Sequence, residues 1–337
     1  MHMLGPVDRV RAIVVSYRDP AATRAAVASL LEQTHAPLDV VVVDNDPGGA
    51  LDEIAGARVL RQPVNRGYTG GANAGAHGAG DADWLFLLNP DARAAPDCIE
   101  RLLEAADERT AILGAQVLLP GGERVNAGDN PLHLTGLSWS GRFEQRREHG
   151  PPREAAVVSG AALLVRRAAW EHLGGLTERF FLYHDDVDLA WRARLSGWSV
   201  RFVPAATVRH EYTFDKGLEK WFYLERNRAW TILTLYGGRT LLALTPLLLA
   251  SEAAILLAAA RQGWWRQKLR AWLAVIRWLP ALLARRRELQ AARRAGDAEL
   301  LGLQTARVET PVLRSPVVAR ANPWMERYRS LVMRLVR

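Results

Sequence analysis

The chain has 337 residues, 49% of them hydrophobic and 24% charged, with a formal net charge of +8. That suits one large α/β domain with an appendage, or two modest domains, and excludes a disordered chain, which would be poorer in apolar residues. The single cysteine, Cys98, excludes an intrachain disulfide and a cysteine-cluster metal site, and fits a reducing cytosolic compartment.

The stretch from Met1 to Val10 lacks an apolar h-region and reads as no signal peptide. Val10 to Tyr17 is a β-branched run with an abrupt polar end, the pattern of a buried parallel strand. A helix is expected from Ala21 to Gln33, and a second buried strand from Leu38 to Asp44, closing in Asp-Asn-Asp-Pro-Gly-Gly. Ala57 to Arg61 is a short strand, Gly70 to Ala79 a small-residue helix and Trp84 to Leu88 a fourth strand. Pro96 to Glu108 reads as a helix with proline in its first turn, and Ile112 to Leu118 as a strand. Strands alternating with helices predict a doubly wound, mostly parallel sheet. Ligands bind such sheets at the carboxyl ends of the strands. The polar residues directly after the second and fourth strands, Asp44-Asn45 and Asn89-Pro90-Asp91, therefore mark the expected nucleotide site.

Gly121 to Arg153 is rich in Gly, Pro and charge and reads as a hairpin and loops. Ala156 to Val165 is a strand broken at Ser159-Gly160. The acidic run His184-Asp185-Asp186-Val187-Asp188 opens a helix that reaches Leu195, with Gly197 as its C′ residue. Trp198 to Val203 and Thr207 to His210 are two short strands, and Gly217 to Tyr236 is a long helix. Leu241 to Ala260 is mostly Leu and Ala and matches a bilayer crossing in length, although Pro246 and Glu252 fall within it. Trp265, Leu269, Trp272, Ile276, Leu279 and Leu283 then recur at helical spacing, while Arg266, Arg270 and Arg277 share another face, the pattern of an interfacial basic helix. The remainder is Arg-rich and loop-like around Pro311, Pro316 and Pro323. From Arg261 to Arg337 about 17 Lys and Arg stand against about 5 Asp and Glu, which leaves the preceding part slightly acidic. Trp and Leu interleaved with the cations point to an anionic lipid surface rather than nucleic acid; a solvated Arg-rich helix is the plain alternative.

Four clusters carry candidate chemistry. Asp44-Asn45 sits at a strand mouth, where a carboxylate accepts a hydrogen bond from a base or ribose; the same pair also makes a turn. Asn65 through Gly75 is rich in Gly and Ala, which permits close approach of a helix N-terminus to phosphate or, equally, tight helix packing. Asn89-Pro90-Asp91 sets a carboxylate where it could hold Mg²⁺ or Mn²⁺ against a diphosphate, or forms an ordinary turn. Asp185, Asp186 and Asp188 at a helix start gain from the helix dipole, but packed like charges raise a pKa and make a general base. Asp188 lies two residues from Asp186 and so on another side of the helix. His210, after a strand, is either structural or a neutral imidazole completing a metal shell.

In their order and spacing these residues resemble glycosyltransferase family 2, and within it the bacterial rhamnosyltransferase-like branch. The matching segments are Val14-Val15-Ser16-Tyr17, Val43-Asp44-Asn45, Asn65 through Gly75, Leu88-Asn89-Pro90-Asp91 and Ser159-Gly160-Ala161. They continue with Phe181 through Arg192, Gly197-Trp198, Val208-Arg209-His210 and Arg226-Asn227, so the likeness covers about two-thirds of the chain. Each motif is common alone; the ordered set is specific.

The resemblance implies a GT-A nucleotide-sugar-binding domain over residues 1–236, with a donor half to about residue 120 and an acceptor half from about 121, followed by a basic, helical, membrane-associated region over 237–337. It implies that Ser16, Tyr17 and Asp44 line the nucleobase and ribose pocket and that Asn65, Gly67 and Asn73 shape the donor pocket. Asp91 matches the last carboxylate of the family's metal motif, Asn89 stands where many relatives have Asp, and His210 matches a further metal or diphosphate contact, with Mg²⁺ or Mn²⁺ as the ion. Asp186 matches the catalytic base, Asp185 begins a motif that usually begins with Glu and is the alternative base, and Gly160 and Ala161 border the acceptor side. The implied activity is inverting transfer of a sugar, rhamnose in the branch it resembles, from a nucleotide diphosphate sugar to a lipid-linked or polysaccharide acceptor in cell-envelope glycan synthesis. The implied place is the cytoplasmic face of the inner membrane. The rivals are a nucleotidyltransferase, which would need glycines after the first strand where Ser16-Tyr17-Arg18-Asp19-Pro20 stands, and a non-catalytic membrane-surface binding protein, which would not need the carboxylates that are present.

Overall fold

A computed structural model describes residues 7–49, 51–211, 217–309 and 316–336. The first six residues of the stretch read for a signal peptide, and Pro311, lie outside the described residues. The chain divides into two compact units, one comprising 1–130, 140–193 and 198–212, the other 131–139, 194–197 and 213–337.

The first unit is built on a ten-stranded sheet. The apolar runs of the sequence become β1 (Val10–Ser16), β2 (Leu38–Asp44), β3 (Arg58–Arg61) and β4 (Trp84–Leu88), then β5 (Ala92–Ala94), β6 (Thr110–Leu118) and β7 (Val125–Ala127). Short β8 (Asp129–Asn130), β9 (Arg153–Glu154) and β10 (Val157–Val158) precede β11 (Ala162–Arg166) and β12 (Ser199–His210). The order is β3-β2-β1-β4-β11-β6-β12-β5, with β7 on β6 and β9 on β12, while β10 pairs separately with β8. β3, β2, β1 and β4 run parallel. β11 inserts antiparallel between β4 and β6, so the sheet is mixed although mostly parallel. The two short strands expected over residues 198–210 are one strand, because the register shift between Val203 and Thr207 bends β12 without ending its pairing with β6.

Helices α1 (Pro20–Leu31), α2 (Gly67–Ala76), α3 (Cys98–Glu104), α4 (Arg167–Leu173) and α5 (Asp185–Leu195) complete this part of the fold. Asp19 caps α1 by accepting from the Ala22 N–H at 2.9 Å, with Pro20 pre-set for the first turn. α2 packs on β1 through glycines: a Cβ on Gly71 would meet Val15 at 2.6 Å, and one on Gly75 would meet Ile13 at 2.5 Å. One core cluster gathers Val10 and Val14 with Val42, Phe86, Leu88, Ile99, Leu113 and Leu164, so burial of β-branched and aromatic side chains on the sheet supplies most of the driving force.

The second unit is helical: α6 (Glu219–Leu235), α7 (Gly238–Gln262), α8 (Trp265–Arg277), α9 (Leu279–Ala292), α10 (Asp297–Leu303) and α11 (Pro316–Val336). Helix α6 belongs here, whereas the sequence reading grouped it with residues 1–236. Its last turn is tied down within the unit, where Gln290 donates to the carbonyls of Thr234 and Leu235, at 3.0 Å each. The loop expected around Pro316 and Pro323 is helix α11: Pro316 stands at its start, where a missing N–H costs nothing, and Pro323 lies inside it. Among the described residues α7 alone is long and apolar enough to cross a membrane by length and composition.

Candidate active site

Strand order reverses across β1, with β2 on one side and β4 on the other, which opens a crevice at their carboxyl ends. Ser16, Asp44 and Asn89 stand at the three strand ends. Ser16 is buried, and its hydroxyl lies 2.7 Å from that of Thr23, so it fastens the start of α1. Tyr17 is 42% exposed, with the Arg18 guanidinium 4.9 Å from its ring centroid. Asp44 is buried; its Oδ1 accepts from the Asp46 N–H at 3.2 Å, and its Oδ2 has no partner among the described residues. A buried acceptor without a donor is costly.

Asn45 ties this strand end to the loop before α2. Its Nδ2 donates to Asn65 Oδ1 at 3.0 Å and to the Gly67 carbonyl at 2.8 Å, while its Oδ1 accepts from the Arg66 N–H at 3.0 Å. Asn65 Oδ1 also accepts from the Gly67 N–H at 2.8 Å. Gly67 has φ +68, and a Cβ there would lie 2.2 Å from the Phe181 carbonyl oxygen, so this position needs glycine for both conformation and space. Asn73 is spent on a bracket: it exchanges two hydrogen bonds of 2.9 Å with the Leu176 backbone and reaches Glu178. It shapes the site by holding the chain that leads to the acidic helix.

The Asn-Pro-Asp turn meets His210 through strand pairing. β5 follows Asp91 immediately and runs antiparallel to β12, with Ala92 opposite His210. Asp91 Oδ1 consequently lies 2.9 Å from His210 Nε2, and Asn89 Nδ2 lies 3.5 Å from the same nitrogen. His210 Nδ1 is 3.4 Å from Asn126 Oδ1. Among the described residues no group of three or more His, Cys, Asp or Glu gathers that could hold a metal. One carboxylate oxygen and one imidazole nitrogen nevertheless suit Mg²⁺ or Mn²⁺, which take one or two protein ligands and fill their remaining positions with water and phosphate oxygens.

The acidic helix is approached through strain. Phe181, Tyr183 and His184 have φ of 64, 66 and 65, a conformation that side-chain-bearing residues adopt rarely and mostly where function requires it. At the start of α5, Asp186 Oδ2 accepts from the Gly160 N–H at 3.1 Å, and Oδ1 accepts from the Val187 N–H at 2.8 Å. Burial raises the Asp186 pKa, while N–H donors from Gly160, Val187 and its own backbone oppose the rise. Burial first, and then the charge of Asp186, push the Asp185 carboxyl up to about 8. Asp188 points elsewhere. It is fully buried, pairs with Arg192 at 2.8 Å and accepts from the Thr177 hydroxyl at 2.8 Å. Arg192 in turn donates to the carbonyls of Leu173 and Gly175, at 2.9 Å each, so this pair clamps the segment ahead of the site.

The crevice and the acidic helix are joined through β11. The Asn89 N–H donates to the Ala161 carbonyl at 3.0 Å, and the neighbouring Gly160 N–H is the one that holds Asp186. Tyr68, given no role by the sequence reading, donates to the Gly160 carbonyl at 3.4 Å. Its phenol is raised well above the usual value by burial and then by Asp185 and Asp186, which puts it within their field. A tyrosine two residues after Asn-Arg was visible in the sequence; its nearness to carboxylates more than a hundred positions on was not.

Residues 12–174 match the model of Glycosyl transferase family 2. The chain is 29% identical over 293 residues to the N-acetylglucosaminyl-diphospho-decaprenol L-rhamnosyltransferase of Mycobacterium tuberculosis, covering 78% of this chain and 88% of that protein. It is 28% identical over 271 residues to the galactofuranosyltransferase GlfT1 of the same organism, covering 70% and 86%. Among solved structures it resembles GalNAc-T7 with UDP, GalNAc and Mn²⁺, at TM-score 0.56 and 13% identity over 69% of this chain; the match spans about half of that protein, 49%. It also resembles S. aureus TarS in complex with UDP, at TM-score 0.50 and 13% identity, over 97% of this chain and 89% of the other. These likenesses give the GT-A glycosyltransferase fold. The matched stretch carries the strand ends of the crevice and both residues that link it to the acidic helix; residues 12–174 carry a glycosyl transferase family 2 domain, and the chain is rhamnosyltransferase-like in sequence.

Proposed function

We propose that this glycosyltransferase moves a sugar, rhamnose being the first candidate, from a nucleotide diphosphate donor to a polyprenyl-diphosphate-linked acceptor at the cytoplasmic face of the membrane. The acceptor class and the sugar are taken from the similar mycobacterial rhamnosyltransferase, whose name specifies both. The observation that carries the chemistry is Asp186, oriented by two backbone N–H donors beside the mouth of the crevice.

The reaction is one in-line displacement with inversion. The acceptor hydroxyl oxygen bonds to the anomeric carbon, the bond from that carbon to the diphosphate breaks, and the hydroxyl proton passes to Asp186. Two N–H donors favour the ionised form of Asp186, whereas Asp185, held near 8, keeps its proton at neutral pH. Asp186 is therefore the base, and Asp185 stays protonated beside it. Asp44, through its spare oxygen, orients the nucleoside, and the Asn65–Gly67 turn lets the donor approach the start of α2 closely. Gly160 and Ala161 border the acceptor side. Asp91 and His210, with Asn89 beside them, would hold Mg²⁺ or Mn²⁺, which when bound neutralises charge on the diphosphate.

The test is release of nucleoside diphosphate, and transfer to a polyprenyl-diphosphate-linked acceptor, across a panel of sugar nucleotides. Acceptor-dependent release from one or a few of them supports the reading. Transfer only to a water-soluble acceptor removes the lipid-linked one.

A further inference from the structure

Helix α8 is turned inside out. Its only lysine, Lys268, is 1% exposed, whereas Leu273 and Ile276 are each 66% exposed and Trp265 and Leu269 are exposed beside them. An amphipathic helix of a water-soluble domain does the reverse. Helix α7 shows the same habit. Thr240, Leu244, Leu247 and Ala259 face the protein, while Leu242, Pro246, Leu249, Ala253, Leu257 and Ala260 form an exposed stripe along its length.

The inward faces are held by charge. Glu225 and Arg228 of α6, Glu252 of α7 and Lys268 of α8 form one network. Arg228 pairs with Glu225 at 2.7 Å and with Glu252, and Lys268 pairs with Glu225 and, at 2.6 Å, with Glu252. The Trp272 indole N–H donates to Glu252 at 2.6 Å, and Arg228 donates to the Thr135 carbonyl at 2.9 Å. Two cations and two anions balance. Drawing α7 across a bilayer would pull Glu252 out of this network, place a carboxylate in hydrocarbon and leave Arg228 and Lys268 buried with half their counter-charge. Glu252, which disfavours a crossing when the sequence is read alone, is the pin that keeps α7 against its neighbours.

We propose that the exposed α7–α8 face beds flat into one leaflet of an anionic membrane, with α7 lying in the membrane plane rather than crossing it. Charge complementarity selects this occupant. From Gly238 to Leu283 the one acid is the inward Glu252, while Arg261, Arg266, Arg270 and Arg277 are exposed along the apolar face, Arg270 pairing with Glu219 of α6. A second copy would bring these arginines against their own kind; anionic headgroups meet them with opposite charge and the acyl layer accepts the leucines. From the functional reading this takes only the membrane location, and its test needs no turnover.

The test uses the full chain bound to preformed vesicles of phosphatidylcholine with phosphatidylglycerol. Single-cysteine variants at Leu242, Leu249 and Leu257 carry a fluorophore, while fully buried Cys98 stays unlabelled. In-plane docking gives equal quenching of all three by lipids brominated near the headgroup. Weaker quenching at Leu249 than at Leu242 and Leu257 is the mark of a crossing helix, whose middle lies far from both headgroup layers, and overturns the proposal. Leu273→Glu with Ile276→Glu, both on exposed side chains, is expected to weaken vesicle partition at least 10-fold with unchanged thermal unfolding. Unchanged partition, or a full-length dimer in which the three probes are shielded without lipid, also overturns it.

Discussion

Asp185 and Asp186 are neighbours in sequence but differ in surroundings, and the roles proposed for them rest on that difference. Asp186 has two N–H donors from outside its own residue; Asp185 has burial and the charge of Asp186 against it. A carboxyl raised from the ordinary value near 4 to about 8 is protonated when folded and ionised when unfolded between those limits. Its contribution to stability is complete below the lower limit and lost as pH rises through the upper one. Asp185→Asn keeps the neutral form throughout, so the variant should unfold at a higher temperature than the wild type, by a margin that is larger at pH 8 than at pH 5. A margin that does not grow with pH would show that Asp185 is ionised in the folded protein. At Asp91 the prediction concerns ligand binding. Asp91→Ala should weaken nucleoside diphosphate at least 10-fold in the presence of Mn²⁺ and leave the nucleoside nearly unaffected, because only the diphosphate shares the ion. Equal loss of both ligands, measured by calorimetry, would remove the metal from Asp91.

At the scale of elements, the site depends on close approach between the loop before α2 and the strained segment before α5. Gly67→Ala adds a Cβ where the Phe181 carbonyl already stands 2.2 Å away, at a φ of +68. It should cost on the order of 2 kcal/mol of stability and lower turnover by shifting the approach to Asp186. Unchanged unfolding and turnover would mean that the two segments separate freely. The parallel strands were legible because Val-Val-Val-Val and Trp-Leu-Phe-Leu-Leu leave no other way to bury so many β-branched and aromatic side chains, and their polar ends located Asp44 and Asp91. The pairing of β5 with β12 was not legible. It sets His210 beside Asp91 from 119 positions away, through a three-residue strand with no periodicity to read. The burial of Lys268 was hidden for a related reason: spacing showed that α8 has two faces, and only the partners of Lys268 show which one turns inward.

For the whole molecule, the sequence reading ended its first domain at residue 236, whereas the helical unit takes in α6, whose Glu225 and Arg228 anchor the network under α7 and α8. The long-range charge pairs that make this unit have no sequence signature, since Glu225 and Lys268 lie 43 residues apart. The first unit by itself contains the strand-end crevice, the Asp91–His210 pair and Asp186, so the proposed base, donor pocket and metal position all belong to that unit. The measurement that tests this most directly is single-turnover transfer with the preferred sugar nucleotide and a polyprenyl-diphosphate-linked acceptor, comparing wild type with Asp186→Asn. Loss of a positioned general base predicts a fall of about 10²-fold or more in the transfer rate with donor affinity held within a few-fold. Transfer by Asp186→Asn at the wild-type rate would contradict the account.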